Sequence, residues 1–456
     1  MLEGTSKLVP ISHLPPPTSA VPHRMNLLDT LYLPAAVVTA PWWARKTRSG
    51  WGERFGHIEA LPPAAPGKKR VLLHAVSVGE VGTLRGLVPL LRERGCEVVV
   101  SASTDTGLKL AKELFEGRPG TFVVRFALDF SPAVRRFFDA VRPDAVALVE
   151  LEVWPNFIRE CGRRGVPVGV INGRLSERSF RGYHRLRGFF RKTFGALAFV
   201  GAQDADYAER FRAMGVPEAR LVVSNSMKWD ATAISEPGSV LPGSVQLADE
   251  LGIDRSRPLI VAGSTAPIDG GRGEFACEEA MLNAVCPEGV QLLCAPRKPE
   301  HYEAAFAAMG GAGKCVRRSA RTPAPTGTSR FLLDTIGELR QAYALADVVV
   351  IGRTFGTLGG SDPIESIALG KATIVGPRHT NFQHVVGLFR EHDAIVDAEP
   401  GDLGGVLREL LADPARRAAM VERGAACIRS QQGATARHAE MILGAMANGQ
   451  MNSTER

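Results

Sequence analysis

The chain is poor in cysteine. It has seven in 456 residues, Cys96, Cys161, Cys277, Cys286, Cys294, Cys315 and Cys427, and no two of them form a Cys-x-x-Cys pair. An odd number without paired spacing argues against a zinc site or a disulfide framework and fits a reducing compartment. None of the ten histidines belongs to a His-Glu-x-x-His motif, so the helical zinc-protease arrangement is absent. There is no Walker phosphate loop either, because Gly370-Lys371-Ala372-Thr373 lacks the upstream glycine. No repeat of solenoid period and no nucleic-acid-binding module is found, so nucleic acid is not an expected partner. The uncharged run from Thr30 to Ala44 falls short of the roughly 20 residues that span a bilayer, and Pro34 and Pro41 interrupt it.

What is present divides the chain. Residues 1–24 are rich in proline and small polar residues and are expected to be a disordered leader, with Met25 an alternative start. Residues 25–48 end in Trp42 and Trp43 followed by Arg45, Lys46 and Arg48. Aromatic then basic is the order expected of a segment lying at a membrane interface with its basic side cytoplasmic. The segment has no secretory cleavage pattern; the alternative is a core helix.

After Arg70, short apolar runs alternate with amphipathic helical patterns, which is the signature of βαβ units and a parallel sheet. The strands are expected at 71–73, 97–101, 122–126, 145–149, 168–171, 196–200 and 221–223. The pattern restarts at 258–262 and continues at 290–294, 348–351 and 373–375. A first domain over 49–235, a linker over 236–257 and a second domain over 258–456 follow, both doubly wound α/β.

The stretch Val71 to Leu84 reads as strand, small-residue turn and helix, with Glu80 at the helix mouth. Ligands of open parallel sheets bind beyond the carboxyl ends of strands, so Glu80 is well placed for chemistry. It is equally well placed to cap the helix, where an acid complements the dipole. Beyond another strand, Glu150 and Glu152 flank Leu151 and point one way on an extended segment. From Arg174 to Lys192 seven basic residues face one acid, Glu177, against a net charge of +7 for the whole chain. Such a cluster suits a phosphate-bearing partner, or is a solvated helix face.

In the second half, Gly263-Ser264-Thr265 follows the first strand, and Gly270, Gly271 and Gly273 come soon after. Small residues there let backbone amides approach a phosphate. Pro296-Arg297-Lys298-Pro299 holds a basic pair at a strand end, a candidate phosphate clamp. Gly359-Gly360-Ser361-Asp362-Pro363-Ile364-Glu365 reads as a glycine turn leading into a capped helix whose amides could meet an anion, with Glu365 placed to hydrogen-bond a ribose. Asp204-Ala205-Asp206 could hold a divalent metal but is better read as a helix first turn; no metal site is expected.

At these residues the chain resembles the 3-deoxy-D-manno-octulosonic acid (Kdo) transferases of lipopolysaccharide synthesis. The matching segments are His74-Ala75-Val76-Ser77-Val78-Gly79-Glu80, Glu152-Val153-Trp154-Pro155-Asn156, Ile171 to Ser179, Pro296 to Glu300, Asp334 to Leu339, and Gly376-Pro377 with Asn381-Phe382. The resemblance implies a GT-B fold, two Rossmann-like domains facing each other across a cleft. It implies CMP-Kdo as donor, a lipid A precursor as acceptor, no cofactor and no metal. It makes Glu80 the catalytic base, with Ser77, Glu152, Asn172, Arg174, Ser176 and Arg178 toward the acceptor. Gly263, Ser264, Thr265, Pro296, Arg297, Lys298, Gly359, Gly360, Ser361, Asp362 and Glu365 fall toward the donor nucleotide. The basic cluster then meets a phosphorylated lipid head group, at the cytoplasmic face of an inner membrane.

Two positions depart from the family pattern. Ser361-Asp362 stands where His-Asn is usual, and Ala266 with a longer loop to Glu274 stands where His is common. Asp362 brings a negative charge toward the donor phosphate, which calls for a compensating base; Arg353 and Arg378 are the candidates. The departures keep three alternatives open: a transferase using a UDP-sugar, a nucleotide-sugar epimerase, and a non-catalytic relative that binds sugar nucleotides.

Overall fold

The computed structural model describes residues 28–30, 32, 49–236, 239–269, 274–322 and 324–454, side chains to residue 448. The expected leader, nearly all of the membrane-contact segment, and Gly270, Gly271 and Gly273 lie outside the described residues.

The chain forms two compact units, one of residues 1–223 and 438–456 and the other of residues 224–437. Each holds one seven-stranded sheet in which every pairing is parallel. The first sheet comprises β1 (Arg70–Ala75), β2 (Glu97–Ala102), β3 (Thr121–Arg125), β4 (Ala145–Val149), β5 (Val168–Gly173), β6 (Val200–Ala202) and β7 (Leu221–Val223). Its order is β3-β2-β1-β4-β5-β6-β7. The second comprises β8 (Leu259–Thr265), β9 (Gln291–Pro296), β10 (Cys315–Arg317), β11 (Arg330–Leu332), β12 (Val348–Ile351), β13 (Ala372–Val375) and β14 (Val396–Asp397), in the order β10-β11-β9-β8-β12-β13-β14.

The central strands are continuous apolar runs because helices cover both faces of each sheet. All six residues of β1 and all seven of β8 are buried. The faces of the first sheet pack aromatic rings, Phe137, Phe138, Phe157, Phe194 and Phe211 among them. In the second unit Phe331, Tyr343 and Phe389 do the same.

Strand order reverses between β1 and β4 in the first unit and between β8 and β12 in the second. Where order reverses, the connecting helices leave on opposite faces and open a crevice at the strands' carboxyl ends. Glu80 follows β1 and Glu152 follows β4; Ser264 is the penultimate residue of β8 and Arg353 follows β12.

The division differs from the sequence reading in three ways. The boundary falls at Val223/Ser224, not after residue 235. Residues 236–257 are not a bare linker, because the helix Ser244–Leu251 buries Leu247, Ala248 and Leu251 in the second unit's core. The last helix, Ala434–Thr454, carries the chain back to the first unit from His438 onward. The strand expected at 196–200 begins only at Val200, because the helix Arg187–Gly195 runs up to Ala196.

Candidate active site

In the first unit β1 runs through Val76 and Ser77 into the helix Val78–Glu93. Ser77 Oγ donates to Glu80 Oε1 at 2.8 Å and accepts from Glu80 N at 3.4 Å, while Val76 N donates to Glu80 Oε2 at 2.8 Å. This is a reciprocal cap on the helix N-terminus. The cap reading of Glu80 is therefore realised. It does not exclude chemistry, since a carboxylate has about four lone-pair sites and the cap uses two. The cap holds the half-buried carboxylate in one orientation.

Glu152 lies beside it. Burial, with the charges of Glu80 and Glu150 nearby, pushes the Glu152 carboxyl up to about 7, against the pull of a hydrogen bond from Trp154. That bond runs from Trp154 Nε1 to Glu152 Oε2 at 2.7 Å. His74 Nε2 is 3.9 Å from the same oxygen. Burial pushes the His74 imidazole down to about 3, so it is neutral and the contact is not an ion pair. Its ring stacks on Phe126 at 3.5 Å, and its nitrogens lie 3.0 Å from Ser101 Oγ and 3.4 Å from Ser103 Oγ. His74 is thus a rigid wall beside Glu152.

At the end of β5, Asn172 sits with φ of +50°, its backbone N–H donating to His438 Nε2 at 3.0 Å. Sequence reading missed His438, which arrives from the far end of the chain. Arg174 is exposed and donates to Tyr207 Oη at 3.4 Å. Ser176 caps the helix Glu177–Arg185, and Arg178 projects to solvent from its first turn. Arg178, Arg181, Arg185, Arg187, Arg191 and Lys192 are all exposed, together with Leu186 at 60% and Phe189 at 45%. The cluster is therefore a mixed basic and apolar face. Asp204 caps its helix by accepting from Tyr207 N at 2.7 Å. Among the described residues no three His, Cys, Asp or Glu side chains come together as metal ligands.

In the second unit the β8 and β12 loops form the switch point. Ser264 and Arg353 have φ of +61° and +63°, a left-handed backbone that costs a non-glycine residue on the order of 1–3 kcal/mol. Gly352 is required where the loops touch, since a Cβ there would lie 2.6 Å from Ser264 C and O. Gly263 has no room for a side chain beneath the Tyr343 hydroxyl. A carboxylate that sequence reading passed over, Glu278, joins the two loops. Its Oε2 accepts from Ala266 N at 3.0 Å and Arg353 N at 2.7 Å, and its Oε1 from Phe355 N at 3.2 Å. Next to it, Glu279 Oε1 accepts from Thr265 Oγ1 at 2.5 Å.

The other donor-side residues gather on the same strand ends. Arg297 N donates to Thr265 O at 2.9 Å, which ties the Pro296-Arg297-Lys298 turn to β8. The Arg297 side chain is exposed, whereas Lys298 already pairs with Glu300 at 3.0 Å. Gly359 and Gly360 adopt φ of +77° and +89° and let the turn pack against His379 and Asn381. Ser361 Oγ is buried without a partner.

Burial raises the Asp362 carboxyl above the usual range, and the base that offsets it is Lys228, not Arg353 or Arg378. The Arg353 guanidinium turns away to Leu358 O at 3.3 Å. Asp362 Oδ1 also takes the Ile364 amide at 3.0 Å, and the helix Ile364–Ala368 is only five residues long. The expected anion-binding helix mouth is therefore occupied by the chain's own carboxylate. Glu365 has one oxygen engaged by Arg340 at 3.2 Å, so both oxygens are not free for a ribose.

Residues 49–231 match the family described as 3-Deoxy-D-manno-octulosonic-acid transferase (kdotransferase). The chain is 32% identical over 420 residues to a 3-deoxy-D-manno-octulosonic acid transferase of Bordetella pertussis, covering 87% of this chain and 93% of that protein. It is 25% identical over 365 residues to one of Haemophilus influenzae, covering 79% and 81%. Among solved structures, a UDP-GlcNAc 2-epimerase from Neisseria meningitidis bound to UDP-GlcNAc superposes with a TM-score of 0.55, covering 82% of this chain and 100% of that one. At 12% identity that likeness carries the fold alone.

Proposed function

The chain belongs to the 3-deoxy-D-manno-octulosonic acid transferases, glycosyltransferases of lipopolysaccharide biosynthesis, and from that premise we propose that it moves Kdo from CMP-Kdo to a lipid A precursor, a lipid IVA-like acceptor, with inversion and without a metal. The observation that carries the proposal is the pair Glu80 and Glu152 at the first unit's switch point, one fixed by a cap and the other raised by burial.

In this reading Glu80 takes the proton of an acceptor hydroxyl. The freed oxygen pair forms the bond to the anomeric carbon of Kdo, and the bond from that carbon to the phosphate oxygen breaks, its electrons leaving with CMP. General-base catalysis of this kind contributes on the order of 10²–10⁴-fold. Glu152 is protonated below about 7 and then offers an O–H to the acceptor rather than a second charge beside Glu80. The leaving phosphate needs preorganised positive groups. Arg297, exposed at the end of β9, and Lys228 near Asp362 are the residues suited to that task. Glu365 remains able to contact a ribose through its second oxygen.

The acceptor is a lipid, so the protein is also proposed to work as a peripheral protein at the cytoplasmic face of the inner membrane. Residues 25–48 and the exposed face of the helices Glu177–Arg185 and Arg187–Gly195 would make the contact. The support is the combination of Leu186 and Phe189 with five arginines and Lys192, apolar groups to insert and cations to meet anionic head groups. Among the described residues no helix is long and apolar enough to cross a membrane.

The test is to incubate the purified chain with CMP-Kdo or with UDP-sugars, each with and without lipid acceptor. The proposal expects turnover only with CMP-Kdo and acceptor together. Turnover of a UDP-sugar without acceptor would make the protein an epimerase; turnover of a UDP-sugar with acceptor would reassign the donor.

A further inference from the structure

Glu278 opens the helix Glu278–Val285 and is 1% exposed. Its two oxygens take three backbone amides from two different loops: Ala266 after β8, and Arg353 and Phe355 after β12. Those loops flank the switch point of the second unit. Both contain a non-glycine residue in the left-handed region, Ser264 and Arg353, a conformation that persists only where its surroundings impose it. Gly352 brings the loops into backbone contact, so a shift in one displaces the other.

We propose that Glu278 is a positioning residue for the donor: its ionised carboxylate clips the Gly263–Ala266 loop to the Gly352–Phe355 loop and so sets the surface that receives the sugar nucleotide. This rests on the reading that these loops take CMP-Kdo. A carboxylate suits the task because all three groups bonded to it are donors; an ionised acid accepts strongly on both oxygens, whereas protonation makes one oxygen a weaker acceptor with a proton of its own to place, and an amide NH₂ would confront a backbone amide. Burial pushes the Glu278 carboxyl up to about 7, with the neighbouring Glu279 raising it further and the three amides pulling it down. The clip is therefore whole above neutrality and opens as pH falls. The one charged side chain facing it on its own helix is Glu279, which is engaged with Thr265. Among the described residues of the β8 loop no charged side chain faces it, and from the β12 loop the Arg353 guanidinium points to Leu358 O. Asp362 on the donor side and Glu152 in the first unit, both raised by burial, are competing sources of a pH effect.

The experiment measures the KM for CMP-Kdo at saturating acceptor from pH 5.5 to 8.5, on the full wild-type chain and on Glu278→Gln. In the wild type the donor KM should be flat above about pH 7 and rise below it by up to tenfold per pH unit. Glu278→Gln should have a donor KM raised at least tenfold at pH 8, without the inflection, while the acceptor KM stays as in wild type. A wild-type profile with no inflection overturns the proposal, and so does an inflection that persists in Glu278→Gln, which belongs to another acid raised by burial, Asp362 or Glu152. Equal losses for donor and acceptor in the variant mean a merely structural residue and overturn it as well. If the variant does not fold, hydrogen exchange on the wild type decides. Protection of the Ala266, Arg353 and Phe355 amides must fall together below pH 7, and unchanged protection overturns the clip. A wild type that does not use CMP-Kdo at all refutes the function reading instead, and the exchange measurement still tests the clip.

Discussion

Replacing Glu80 with glutamine separates the two tasks that the structure gives this residue. As a cap, Glu80 receives Val76 N on one oxygen and Ser77 Oγ on the other, each at 2.8 Å. Glutamine can keep both contacts: its carbonyl takes the Val76 amide, and its NH₂ faces Ser77 Oγ, a hydroxyl that can accept. A whole N-cap is worth about 1 kcal/mol, which in a unit of roughly 200 residues moves the melting midpoint by about 2–4 °C. Glutamine should lose a fraction of that. As a base, glutamine is useless at neutral pH. The loss of 10²–10⁴ in turnover corresponds to about 3–5 kcal/mol of barrier. The catalytic effect is therefore several times the folding effect, and one substitution distinguishes them. The assay pairs the initial rate of CMP release with a thermal melt of the same preparation. A thousandfold slower enzyme with a midpoint within about 2 °C of wild type is expected. Near-normal turnover in Glu80→Gln would refute the base role and leave only the cap.

Further outcomes follow from other parts of the molecule. Glu152 is raised from an ordinary carboxylate value to about 7 in the folded state, so its ionisation weakens folding as pH rises from about 4.5 to 7, by on the order of 3 kcal/mol in total. Glu152→Gln should consequently gain stability relative to wild type as pH is raised from 5 to 8 in denaturant titrations, and a constant difference would contradict the burial argument. Turnover should survive excess EDTA if Arg297 and Lys228 meet the leaving phosphate as proposed; loss restored by Mg²⁺ would bring Asp204 and Asp206 back as ligands. Changing Arg181, Arg185 and Arg187 to serine should weaken sedimentation with anionic vesicles by roughly 100-fold, at about 1 kcal/mol per basic residue near the surface. Deleting residues 1–46 should leave a remainder of binding that high salt removes, and salt-resistant binding by the truncated chain would rule out the start segment as anchor.

Much of this was legible in the sequence because parallel strands announce themselves as short apolar runs, and because their carboxyl ends are where ligands bind. β1, β4, β8 and β12 could be read that way, and with them Glu80, Glu152, Ser264 and Arg353. The short strands β10, β11 and β14 could not, since each has a charged residue among its two or three positions and so shows no apolar run, unlike the equally short β7. The residues that were missed act across long separations. His438 reaches Asn172 from the chain's last helix. Lys228 offsets Asp362, some 130 residues away along the chain, because both fold into the second unit. Glu278 was passed over, because nothing in its local sequence distinguishes it from a solvated acid in a helix first turn. Arg353 and Arg378 were the natural bases to set against Asp362 because they are near in sequence, and proximity in sequence was the wrong measure.

The most direct test of the whole account is the structure of the product. The lipid recovered after incubation with CMP-Kdo should carry a Kdo residue whose anomeric configuration, read by NMR, is opposite to that in the donor, with one CMP released per residue added. That result requires single displacement by an acceptor oxygen, the chemistry assigned to Glu80. A lipid with no Kdo would contradict the proposed reaction. A Kdo residue of retained configuration would contradict the mechanism, because it calls for a covalent sugar–enzyme intermediate and would make a carboxylate such as Glu80 a nucleophile rather than a base.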